Sequence, residues 1–285
     1  MKFDFEIRVP MKFFFVMVAM ALVCVFTDCS NKPQGKNTGP VRRIVTSDTI
    51  LSGMIASLLP PNRYCVEAIL PPEQCPGHYD VKLSDIEKMK KAYLIVSFRG
   101  MIFMDKAGSD GGAQLLVDTG GRNWMAPNSY IYGLVVLTDK LTKRFPEDQN
   151  EIMRRKEQAI REVEGRANSL IENIKKAGIF GKPIMTSSMQ REVLEWMGFR
   201  VVGEYGRPEA MSTREVVRLS EIGQNQRAIM VVDNLQSGPD AGKGIAEMLR
   251  VPHVVLTNFP SEKGYLATLG ENVNAVLKAL KKNNG

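Results

Sequence analysis

The chain has 285 residues, of which 44% are hydrophobic and 24% are charged, a composition typical of globular proteins. This length suffices for two domains, each able to bury a hydrophobic core of its own. The formal net charge of +7 is modest, and Lys and Arg are interspersed with Asp and Glu, so nucleic-acid binding is not expected.

The N-terminus resembles an export signal. Met11 and Lys12 precede a short apolar run at residues 13–26, which gives way to polar residues. The run is shorter than the roughly 20 residues that a membrane-spanning helix requires. A basic start, a short apolar core and a polar continuation are typical of a secretory signal, so we expect a signal peptide at residues 1–28, with translation starting at Met1 or Met11.

Cys29 occupies the position of the lipid-modified cysteine in a bacterial lipoprotein, at the start of a Gly- and Pro-containing tether at residues 29–40. Asp28 stands where lipoproteins usually carry a small residue, so lipidation, plain cleavage and an uncleaved anchor all stay open. Each of them places the rest of the chain in the periplasm or at the cell surface. A lipoprotein anchored to the membrane is the favoured interpretation.

Strand and helix patterns alternate along the first half of the chain. The patterns predict helices at residues 50–59 and 84–91 and strands at residues 43–46, 64–70, 93–98 and 115–118. This alternation favours a parallel sheet covered by helices. Ligands of such sheets bind at the loops that follow the strand ends. Those loops contain Ser47, His78, Arg99 and Arg122.

A helix predicted at residues 127–145 is followed by a longer helical pattern, which Gly178 ends. At about 1.5 Å per residue, the longer helix approaches roughly 50 Å, more than one small lobe spans. Beyond it the strand and helix alternation resumes. We therefore predict an α/β fold of two Rossmann-like lobes with mostly parallel sheets, joined by one long backbone helix. The predicted parts are an N-terminal lobe at 41–145, the linking helix at 146–178 and a C-terminal lobe at 179–285.

Several segments resemble a known family in their order along the chain. They are residues 68–72, the loop Pro76-Gly77-His78-Tyr79-Asp80, residues 83–96, Trp124-Met125-Ala126-Pro127, and residues 264–280. Together these segments resemble the zinc- and manganese-binding solute-binding proteins of ABC importers. The resemblance implies a monomeric, non-enzymatic receptor that carries a divalent metal ion between its lobes to a permease in the membrane.

The resemblance also implies four cargo ligands, which fall on His78, Arg122, Ser187 and Asn258. Only His78 is of the residue type that the family uses at its position. A guanidinium repels a cation and donates hydrogen bonds to anions. Three interpretations stay open: a remodelled metal site around His78 with Cys75 or an acidic neighbour, a receptor for a small anionic or chelated solute, and an accessory protein that has lost metal binding.

The remaining candidate residues are cysteines, a histidine and an aspartate. In an oxidising compartment, Cys65 and Cys75 are expected to form a disulfide. Alternatively, Cys75 and His78 would offer a thiolate and an imidazole to a soft metal. Asp233 ends a predicted strand and either faces the cleft or caps a turn, whereas His253 is expected to be structural. With two His in the chain and no Ser/His/Asp set, hydrolytic chemistry is not expected.

Overall fold

The computed structural model describes residues 39–106 and 112–283. The predicted signal peptide, the lipidation site Cys29 and nearly all of the tether lie outside these residues. Within the described part of the chain, no helix is both long enough and apolar enough to cross a membrane.

The N-terminal half forms a four-stranded sheet in the order β2-β1-β3-β4, and every pair of neighbours is parallel. The strands are β1 (Arg42–Thr46), β2 (Tyr64–Ala68), β3 (Leu94–Phe98) and β4 (Ala113–Val117). Three helices connect them, namely α1 (Thr49–Leu58), α2 (Leu83–Lys90) and α3 (Ile102–Lys106). A short 3-10 turn, Pro76–His78, precedes α2. The parallel arrangement brings the loops after these strands to one edge of the sheet.

Two long helices follow this sheet, α4 (Pro127–Arg144) and α5 (Gln149–Lys176). At 28 residues, α5 is about 42 Å long. It packs against α1, α4 and the C-terminal helix (Tyr265–Asn283). The buried face of α5 consists of Ile152, Ala159, Val163, Ala167, Leu170 and Ile174. The single amphipathic stripe of α5 therefore contributes to both halves of the molecule.

The C-terminal half repeats the same topology in the order β6-β5-β7-β8, again with parallel neighbours throughout. Its strands are β5 (Pro183–Ser187), β6 (Arg200–Tyr205), β7 (Val231–Asn234) and β8 (His253–Leu256). Its helices are α6 (Arg191–Trp196), α7 (Thr213–Asn225), α8 (Lys243–Leu249) and α9 (Tyr265–Asn283). The predicted fold class, two α/β lobes with parallel sheets and one long helix between them, is confirmed.

The largest hydrophobic cluster runs through both lobes. It contains Ile44 and Leu134 from the first lobe, Val163 from α5, and Val193 and Val273 from the second lobe. The expectation of two separate cores is wrong, because the apolar sides of α4, α5 and α9 bury the inner faces of both lobes together. Two smaller clusters lie apart from this shared core, one in each lobe.

Candidate functional site

A cavity of about 590 Å³ lies between the lobes. Its wall comes from the loops after β4, β5 and β8, together with the first turn of α1, the end of β3 and α6. These loops all follow the carboxyl ends of parallel strands, where ligands of open α/β sheets bind. The cavity therefore occupies the position at which this topology presents side chains from both lobes to one solute.

One part of the cavity wall is apolar. Phe98 packs edge-on against Trp124, with 4.8 Å between the ring centroids and 81° between the ring planes. This arrangement is a favourable geometry for two aromatic rings. The other apolar residues of the wall are Ile50, Met101, Met189 and Phe259.

Amide side chains from both lobes meet at Asn258. Its Oδ1 accepts hydrogen bonds from Asn123 Nδ2 and Gln190 Nε2, each at 3.0 Å, and its Nδ2 donates to the Met189 carbonyl at 3.0 Å. The Asn258 backbone N–H donates to Gln236 Oε1 at 3.0 Å. Because Asn123 belongs to the first lobe and the other residues to the second, this amide network connects the lobes at the cavity.

Glu192 forms a second polar connection between the lobes. From the start of α6, its carboxylate accepts hydrogen bonds from the Asn123 backbone N–H and the Ser129 hydroxyl of the first lobe. Ser129 is fully buried, so its hydroxyl relies on this partner. Both oxygens of the Glu192 carboxylate thus already accept a hydrogen bond from the first lobe.

Two stacked tyrosines also connect the lobes. Tyr130 of α4 and Tyr265 of α9 lie with 3.6 Å between their ring centroids, and the Tyr265 hydroxyl donates to the Met125 carbonyl at 3.1 Å. Burial raises the pKa of both hydroxyls above the ordinary value of 10.0, so both stay neutral.

The structure places two of the four predicted cargo ligands in the cavity wall, Arg122 and Asn258. Ser187 is buried at the end of β5, and its neighbour Ser188 is the residue that lines the cavity. His78 is exposed in the 3-10 turn, outside the wall, and its ring makes no hydrogen bond to any residue the structure describes. The predicted set of four therefore does not come together as one site.

The predicted disulfide between Cys65 and Cys75 is not formed, because Cys75 is a free cysteine. Cys65 lies near the start of β2, whereas Cys75 lies in the loop beyond the end of that strand. A strand advances about 3.3 Å per residue, and a disulfide requires Cα atoms within about 7 Å. The end of β2 thus lies about 10 Å beyond Cys65 before the loop that contains Cys75 begins.

Asp233 does not face the cavity. It is fully buried, its carboxylate accepts from the Gly242 N–H at 2.9 and 3.1 Å, and it lies 2.6 Å from His253 Nε2. Asp233 thus holds the turn before α8 and the start of β8. Both of these side chains belong to the support of the second lobe, away from the cavity wall.

No group of three His, Cys, Asp or Glu side chains that could hold a metal ion occurs among the described residues. Sequence reasoning did not identify Asn123 or Glu192 as site residues. Asn123 adjoins the predicted ligand Arg122, which is a weak signal. The sequence gives no such signal for Glu192, because a Glu in the first turn of a helix ordinarily interacts favourably with the helix dipole.

No protein-family model and no curated protein sequence matches the chain. Its fold, however, matches solved structures. ZnuA is 12% identical, with a TM-score of 0.69 over 84% of this chain and 99% of that chain. A cadmium-bound periplasmic metal-binding protein from Candidatus Liberibacter asiaticus is 13% identical, with a TM-score of 0.71 and the same coverage. The laminin-binding protein Lmb of Streptococcus agalactiae, described as an adhesin with metal-transporting activity, is 14% identical, with a TM-score of 0.67 over 84% and 99%.

These similarities define the fold as that of the two-lobed periplasmic metal-binding proteins. At 12–14% identity they extend to the fold alone. What such a fold binds depends on the side chains grafted onto it. Those side chains are the ones that line the cavity described above.

Proposed function

We propose that the chain is an extracytoplasmic solute-binding protein that delivers cargo to an ABC permease. The observation that carries this proposal is the cavity between the lobes, to which the strand-end loops of both sheets contribute. The shared fold supports it, since the solved structures with this architecture include periplasmic metal-binding proteins. A receptor of this kind is a monomer without enzymatic activity.

For the cargo, we propose a small organic or chelated solute rather than a bare zinc or manganese ion. Zinc sites are built from imidazole, thiolate and carboxylate ligands, and manganese sites favour carboxylate and carbonyl oxygen. The cavity instead presents amides, two guanidinium groups and two carboxylates. Glu192 already accepts hydrogen bonds from Asn123 and Ser129, and Glu195 from Arg191.

Uptake of a metal ion is the second candidate function. Cys75 is a free thiol, and His78 lies three residues later in the same 3-10 turn. A thiolate and an imidazole in one turn would bind a soft metal such as Cu(I), or Zn(II) with a further ligand. This candidate uses residues outside the cavity wall.

Native mass spectrometry and calorimetry of the full-length protein separate these functions. A small solute retained through purification, with no heat signal on titration with Zn(II), Mn(II) or Cu(I), is the expected result. Stoichiometric metal binding that His78→Ala and Cys75→Ser both abolish would establish the second candidate instead. If neither solute nor metal binds, the chain is an accessory protein that has kept the fold and lost the site, and the proposal fails.

A further inference from the structure

Four charged side chains line the cavity, and two of them, Arg191 and Glu195, neutralise each other. Arg191 pairs with Glu195 at 3.2 Å and with Glu204, and Glu192 is held by donors of the first lobe. Arg122 forms no salt bridge with any residue that the structure describes. Arg122 is therefore the cation of the cavity wall that has no carboxylate partner among the described residues.

The surroundings of Arg122 hold its guanidinium in a position to receive a ligand. Its central carbon lies over the Tyr132 ring, 4.7 Å from the ring centroid, which is a cation–π contact. The guanidinium N–H groups donate to no residue that the structure describes and can donate to a ligand. Gly120 and Gly121 precede Arg122 with φ of +63° and +71°, a left-handed turn that glycine adopts without strain.

The apolar wall adds a second requirement on the ligand. Phe98, Trp124 and Phe259 supply aromatic surface, and Met101 and Met189 are flexible side chains that adapt to the shape of a ligand. Met189 is 45% exposed, so its side chain is accessible to a ligand in the cavity. A bare inorganic anion would use only Arg122 and leave this surface in water.

We infer that the cavity binds an organic anion with an apolar body, its carboxylate or similar group on Arg122 and its body against Met189 and the aromatic wall. The inference rests on the proposed function and deepens it, because it names the chemical class of the cargo. A divalent cation would meet an unneutralised guanidinium, and a neutral apolar solute would leave that guanidinium without its partner.

Three matched probes test this inference by isothermal titration of the full-length protein. They are 4-phenylbutyrate, its neutral amide 4-phenylbutyramide, and butyrate, which keeps the carboxylate and lacks the ring. The acid is expected to bind about tenfold more tightly than the amide, because charge-assisted hydrogen bonds exceed neutral ones by about that much. It is also expected to bind about tenfold more tightly than butyrate, because the ring buries apolar surface.

Two substitutions assign these preferences to residues. Arg122→Gln should abolish the preference for acid over amide and leave the preference for the ring unchanged. Met189→Ser should weaken the preference for the ring and leave the preference for acid over amide unchanged. The matched controls are Arg214→Gln and Met248→Ser, both at exposed positions of the second lobe away from the cavity, and neither should alter any of the three affinities.

The outcomes separate the inference from the function on which it rests. Equal binding of acid and amide by the native protein, or a preference that survives Arg122→Gln, would overturn the inference. So would the absence of binding by all three probes at millimolar concentrations. In each case a solute retained through purification would still uphold a solute-binding function, whereas metal binding alone would overturn both.

Discussion

The carboxylate of Asp48 is completely buried at the N-terminus of α1. Its Oδ1 accepts hydrogen bonds from the backbone N–H groups of Ile50 and Leu51, and its Oδ2 accepts one from the Ser47 hydroxyl at 2.6 Å. Burial outweighs these bonds and raises the pKa of Asp48 from 3.8 to about 6. This helix cap thus carries a charge that the folded protein disfavours.

The raised pKa predicts how stability depends on pH. Between about pH 4 and 6, folded Asp48 retains a proton that the unfolded chain has lost, so stability falls as pH rises and levels off above 6. The free energy of unfolding is thus lower above pH 6 than below pH 4 by about 3 kcal/mol. Asp48→Asn keeps an oxygen for Ile50 and Leu51 and should flatten this dependence in urea unfolding at pH 4.5 and pH 7. The exposed Asp80→Asn is the control, and an unchanged slope in Asp48→Asn would contradict the assignment.

At the scale of elements, the pair of Asp233 and His253 connects β7, β8 and the turn before α8. Removing His253 leaves the buried Asp233 carboxylate with fewer donors, which costs about 2–3 kcal/mol. We expect His253→Ala to lower the free energy of unfolding by this amount. In an Asp233→Asn background, His253→Ala should lower the free energy of unfolding by much less, because the amide of Asn bears no charge. Equal costs in both backgrounds would show that the pair does not interact.

The sequence predicts the strands, most of the helices and the two-lobed fold because apolar periodicity and caps are local signals. It misses α3 (Ile102–Lys106), whose single turn is too short for a periodic pattern. Of the candidate site, Arg122 and Asn258 follow from the resemblance to a family. The partners of Glu192 could not be predicted, since Asn123 and Ser129 lie 69 and 63 residues away and meet it only after both lobes fold.

At the scale of the whole molecule, the predicted lipidation of Cys29 bears on where the proposed receptor works. We predict that Cys29 carries a lipid, so Cys29→Ala should abolish incorporation of radiolabelled palmitate and move the protein from the membrane fraction to the medium or periplasm. Cys75→Ala is the control, because Cys75 lies in the folded lobe. Membrane association that persists in Cys29→Ala without palmitate labelling would indicate an uncleaved anchor instead.

The shared hydrophobic core predicts that the lobes move little against each other. The apolar sides of α4, α5 and α9 join both lobes, whereas the polar connection through Glu192 lies only at the cavity. Glu192→Ala should therefore accelerate hydrogen exchange at the Asn123 amide without altering the small-angle scattering profile, and the exposed Glu209→Ala should change neither.

An expanded profile in Glu192→Ala would mean that the polar contacts, and not the core, hold the lobes together. Opening for cargo would then require only the loss of those contacts. If the profile is unchanged, cargo must enter through motion of the loops at the cavity, because separating the lobes would expose the core that they share.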